Sequence, residues 1–110
     1  MAPGRPTIST HVLDTGTGLP RAGATVRLWR LAASDGPATL VLEAETDADG
    51  RIGDFLGPTA LEAAAYALEF DLGGEFFSSI TVEIRVADPS RSYHVPLLVA
   101  PYGLSTYRGS

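Results

Sequence analysis

The sequence predicts an all-β fold: a two-sheet antiparallel β-sandwich of seven to eight short strands, with at most one short helix near 73–79. Three observations predict it. Short segments alternate apolar and polar residues with a period of two. Turn signals rich in Gly, Pro and Asp separate them at close intervals. No segment sustains a helical period long enough to compete. At 110 residues the chain can build one core but not two, so it divides into an N-terminal tail (1–6) and a single sandwich domain (7–110).

The elements follow in order. "TISTHVL" (7–13) puts Ile8, Thr10 and Val12 on one face and Ser9, His11 and Leu13 on the other. "DTGTGLPRAG" is a turn-rich loop. "ATVRLWRL" (24–31) alternates again, "ASDGPA" breaks the pattern, and "TLVLEAET" (39–46) resumes it. "DADG" (47–50) predicts a tight hairpin turn, since Asp-Gly supplies the positive φ such turns need, and "RIGDFL" returns as a short strand. Ala, Leu and Glu in 57–72 favour helix by propensity, but Tyr66, Leu68 and Phe70 alternate with Ala67, Glu69 and Asp71. The prediction there is a strand over 65–72, with 59–64 a loop or one helical turn. "GGEFFSS" is a connector or short helix. "ITVEIRVA" (80–87), "SYHVPLLVA" (92–100) and "LSTYR" complete the strands, and Pro96 predicts an edge position or a bulge.

Composition excludes several function classes. A hydrophobic content of 45% against 19% charged is that of a globular chain. A net charge of −5 argues against a nucleic-acid partner, whose phosphates require neutralising cations. No apolar stretch approaches the length of a membrane span, so no membrane partner is expected. "MAPGRPTIST" has no basic region followed by an apolar one, so the expected location is cytoplasmic. Without cysteine there are no disulfides, thiolate nucleophiles or Cys-ligated zinc. All eight basic residues are Arg, a pattern expected of a GC-rich genome.

The polar candidates are few. His11 and His94 are the only histidines, and imidazole suits general-base work near neutral pH. Two imidazoles without a third ligand nearby make no metal site, and no metal or other cofactor is expected. Arg51 directly follows the "DADG" turn, a planar cation fit for a carboxylate, urea-like or oxyanion group. Each also has an ordinary reading: a solvated or structural histidine, and a surface arginine. No P-loop, Gly-x-Ser-x-Gly elbow, dinucleotide fingerprint or zinc-protease motif occurs. Residue pattern alone therefore leads to a β-sandwich with a two-histidine site.

"STHVLDTGTGLPRAGATVRLWRL", "TDADGR", "YHVPLLVAPYGLSTYRGS" and above all "YRGS" resemble the transthyretin-related 5-hydroxyisourate hydrolases from about Thr7 to Ser110. A cloning scar would not supply Tyr107 and Arg108. The resemblance implies a cofactor-independent cyclic-amide hydrolase that converts 5-hydroxyisourate to 2-oxo-4-hydroxy-4-carboxy-5-ureidoimidazoline in urate degradation. It implies His11, Arg51, His94 and Ser110 as catalytic residues, with substrate bound by His11, Arg51, Tyr107, Arg108 and Gly109. It further implies a homotetramer, a dimer of dimers, with sites where two dimers meet. One departure is visible: only "GGEFFSS" stands where relatives usually carry a helix and a longer connector, and it touches no motif position. Two other readings share the turn-strand grammar: a transthyretin-like carrier of a small ligand, and a carboxypeptidase-regulatory-type interaction module. Terminal "YRGS" sets the second apart, and the two histidines with Arg51 set the first apart.

Overall fold

The computed structural model describes residues 5–32 and 37–110. Residues 1–4 of the expected tail and 33–36 of the "ASDGPA" break lie outside the described residues. The described residues form nine strands and no helix: β1 (Ile8–Asp14), β2 (Leu19–Pro20), β3 (Thr25–Leu31), β4 (Thr39–Glu45), β5 (Arg51–Ile52), β6 (Ala65–Asp71), β7 (Ser79–Arg85), β8 (Tyr93–Ala100) and β9 (Gly103–Thr106). The first sheet runs β2-β1-β8-β9, and β5 pairs with the same edge of β1 as β2 does. The second runs β4-β3-β6-β7.

The period-two pattern sorts residues between core and outer faces. Ile8, Thr10 and Val12 of β1, Val26 and Leu28 of β3, Tyr66, Leu68 and Phe70 of β6, and Tyr93, Val95, Leu97 and Val99 of β8 are buried between the sheets. Burying one such large apolar side chain stabilises the fold by about 1.5–3 kcal/mol. Phe55 and Leu56, just after β5, close the same core. Thr10 satisfies its buried hydroxyl by donating to the Val95 carbonyl at 2.6 Å, which also ties β1 to β8.

Three expectations meet corrections. All pairings are antiparallel except β1–β8, which is parallel from Ile8↔Tyr93 to Asp14↔Val99. That register runs unbroken through His11↔Pro96, so Pro96 marks neither a bulge nor an edge strand. The Tyr93 N–H bonds the Thr7 carbonyl on the β1 side, so by alternation the Pro96 nitrogen faces the β9 side. There β9 has already ended at Thr106, and no ladder donor is lost.

The "DADG" turn is not a hairpin. It carries the chain from β4 in one sheet to β5 in the other. Gly50 has φ 76°, and a Cβ there would meet the Val12 carbonyl oxygen at 2.5 Å, so the turn crosses β1 at a distance only glycine permits. The 73–79 segment, predicted as a connector with at most one short helix, is a tight β6–β7 connection. Leu72 N–H bonds Ser78 O at 2.9 Å and Gly74 N–H bonds Phe77 O at 3.1 Å, with Gly73 at φ 63°. Two glycines and the pull of a continuing antiparallel ladder leave no room for a helical turn.

Candidate active site

The outer face of the first sheet carries the polar residues that the core does not need. Parallel pairing sets Ser9 directly beside His94, both side chains outward. Ser9 Oγ and His94 Nδ1 are 2.8 Å apart. On the other flank of β8 the Gly109 N–H donates to the His94 carbonyl at 2.8 Å, laying the last residues along the strand. A Cβ on Gly109 would meet His94 Cδ2 at 2.5 Å and Pro96 Cγ at 3.1 Å, so its backbone rests on the imidazole. Here glycine is required by close approach.

His11 and Arg51 are opposite each other across the β1–β5 pair. The turn sets that placement. Asp47 Oδ1 accepts the N–H groups of Asp49 and Arg51, each at 2.9 Å, and Asp47 N–H bonds the Arg51 carbonyl at 2.9 Å. Ile52 enters the core while the exposed Arg51 stays on the His11 face. His11 Nε2 lies 2.8 Å from the Asp49 carbonyl. A carbonyl only accepts, so Nε2 is the protonated nitrogen and His11 is tethered to the turn.

An open cleft of about 280 Å³ brings together Arg51, His94 and Ser110, with Ser9, Thr10, Gly53 and Ser92 also lining it; His11 is not among its lining residues. Burial, and then the nearby Arg51 and His11, push the His94 pKa below its ordinary value. That shift favours the neutral imidazole, the form a general base needs. Arg51 makes no ion pair with any carboxylate among the described residues, leaving its guanidinium available to an anion. No cluster of three metal-ligating side chains occurs among the described residues.

The C-terminal tetrapeptide divides. Gly109 and Ser110 reach the His94 cleft, whereas Arg108 stacks 4.5 Å over the Tyr93 ring at the sandwich edge. Tyr107 is 56% exposed and borders a groove with Arg108, Val82 and Ile84, away from the imidazoles within one chain. Ser9 is the contact that sequence alone could not single out. Its partner is 85 positions away, and only the β1–β8 register brings the two together.

The model of the HIUase/Transthyretin family matches residues 8–109. The 5-hydroxyisourate hydrolase of Halalkalibacterium halodurans is 40% identical, covering 94% of this chain and 97% of its own. Among solved structures, the Klebsiella pneumoniae 5-hydroxyisourate hydrolase superposes with a TM-score of 0.80 at 34% identity, covering 96% of this chain and 99% of that one. Sea bream transthyretin in complex with thyroxine superposes at 0.82 with 23% identity, over 92% of each chain, a likeness of fold alone.

Proposed function

The chain belongs to the HIUase/Transthyretin family, and from that premise we propose that it is a 5-hydroxyisourate hydrolase acting in urate degradation. One observation carries the reading: the His94 imidazole, bonded at Nδ1 to Ser9, shares an open cleft with an arginine that has no carboxylate partner among the described residues.

The chemistry follows from these groups. His94 Nε2 takes a proton from water as the water oxygen bonds to a ring carbonyl carbon of 5-hydroxyisourate. The Arg51 guanidinium stabilises the oxyanion that develops on the carbonyl oxygen. The carbon–nitrogen bond of the cyclic amide then breaks, and the protonated His94 returns its proton to the departing nitrogen. The product is the ring-opened 2-oxo-4-hydroxy-4-carboxy-5-ureidoimidazoline. His94 is favoured over His11 as the base, because His11 Nε2 is committed to the Asp49 carbonyl and His11 holds the turn that carries Arg51. Gly109 and Ser110 narrow the cleft and orient substrate and water, a positioning role. Tyr107 and Arg108 complete substrate binding in the assembled protein, a homotetramer built as a dimer of dimers. Leu13 and Leu98 lie in register and half-buried on the outer face of the first sheet, an apolar strip that favours its contact with a copy.

The test generates 5-hydroxyisourate in place with urate oxidase and follows the decay of its ultraviolet absorbance. The protein accelerates that decay, while folded His94→Ala slows turnover by roughly 100- to 10,000-fold. A chain truncated after Thr106 loses activity with its fold intact. A folded wild-type protein that leaves the decay unchanged would sink the reading.

A further inference from the structure

We propose that Ser9 is a positioning residue for His94, holding the imidazole in the form whose free nitrogen, Nε2, faces the cleft. The proposal rests on the reading of His94 as the general base, and the geometry supports it in three ways.

First, register. Directly opposed residues of a parallel pair stand roughly 5 Å apart, and Ser9↔His94 is such a pair. A hydroxyl one bond beyond Cβ then reaches Nδ1, the ring nitrogen nearest the backbone, at 2.8 Å. A longer amide or carboxylate would overshoot it. Second, ring orientation. A half-turn of the imidazole would set Cδ2 against Ser9 Oγ in place of Nδ1 and forfeit the hydrogen bond. The Gly109 backbone, packed on the ring, limits the space for such a turn. Third, hydroxyl chemistry. When Nδ1–H donates to Ser9 Oγ, the lone pair of neutral His94 sits on Nε2. Once Nε2 has taken a proton, Nδ1–H still donates to the same oxygen. Ser9 therefore keeps one bond through both protonation states and adds no charge to a face already holding Arg51 on β5 and His11 on β1.

The experiment combines kinetics with nitrogen-15 NMR of the His94 ring in the full chain. In the wild type at a pH above the His94 titration, the spectra place the proton on Nδ1. Ser9→Ala, shown folded by circular dichroism, lowers kcat by roughly 10- to 100-fold, as loss of a histidine's orienting partner does. Its KM stays within about twofold, and its ring shows a mixture of the two tautomers. Ser9→Thr keeps the hydroxyl and rescues both kcat and the tautomer. Full kcat in folded Ser9→Ala, or a wild-type ring protonated on Nε2, overturns the positioning role while leaving the hydrolase reading intact. A fully active His94→Ala overturns the general-base reading and the proposal with it.

Discussion

The outer faces of the two sheets are built by the same alternation and end in opposite electrostatic states. On the second sheet Arg27 sits at the centre of three carboxylates: Glu43 at 2.7 Å, Asp71 at 3.0 Å and Glu69 at 3.6 Å. Its hydrogen bonds to Asp71 and then to Glu43 push its pKa further above its already high value, and Trp29 Nε1–H donates to Glu69 at 3.0 Å. Arg27 there is held by carboxylates on both neighbouring strands. On the first sheet Arg51, His11 and His94 face one another with no carboxylate in ion-pair range among the described residues. A fold gains nothing in stability from that grouping, and the cation depresses the imidazole's proton affinity. The contrast separates Arg27, whose charge is met by carboxylates of its own sheet, from Arg51, whose charge is left to a ligand.

Substitutions can break that comparison, and the strongest falls on Arg51. Arg51→Ala removes the oxyanion's partner and lowers kcat by about 100- to 1000-fold. Burial and Arg51 both lower the His94 pKa, so removing the cation raises it. A base acts when deprotonated, so the acid limb of the kcat/KM profile moves to higher pH. A pH–rate series in the absorbance assay checks both, and an unmoved limb would show that Arg51 and His94 are not coupled.

Gly109→Ala probes how tightly the chain end is laid on the ring. The added Cβ, at 2.5 Å from His94 Cδ2, must displace the C-terminal segment. Turnover falls by up to about 100-fold, the scale of an ångström's misplacement. The midpoint of thermal unfolding changes little, because the segment is exposed. Wild-type turnover in this variant would detach Gly109 from the site.

Arg27→Ala is the mirror experiment and carries the smallest effect on catalysis. It strands three carboxylates on the second sheet, lowers Tm and makes stability more salt-dependent. The kcat/KM stays within about twofold of wild type, because the site lies on the opposite sheet. A large loss of activity in a folded Arg27→Ala protein would erase the distinction between the two faces.

Several elements were legible because they depend on local chemistry. The strands at 8–14, 25–31, 65–71 and 79–85 fall within a residue or two of the alternating segments. Steric fit to a pleated half-buried strand needs no partner to be read. The failures are instructive in the same terms. "DADG" has the residues of a hairpin, and its backbone does turn with Gly50 at positive φ. Whether the next strand pairs back or crosses to the other sheet depends on β1, far away in sequence, offering its edge to Arg51 and Ile52. Pro96 looked incompatible with a central strand because a sequence does not say which neighbour its missing N–H faces.

The candidate site divides along the same line. Its residue types were determined by the sequence itself: two imidazoles, one arginine after a tight turn, and a glycine and serine at the chain end. Their ionisation chemistry belongs to the side chains and travels with them. Tertiary structure alone decided which groups meet. The parallel β1–β8 register puts Ser9 on His94 Nδ1, the β1–β5 pairing puts Arg51 opposite His11, and one alternation along the chain end sends Arg108 to Tyr93 while Gly109 covers the imidazole. Hydrogen bonds and electrostatic coupling act over a few ångströms, and residues 85 positions apart come that close only when the sheet is assembled.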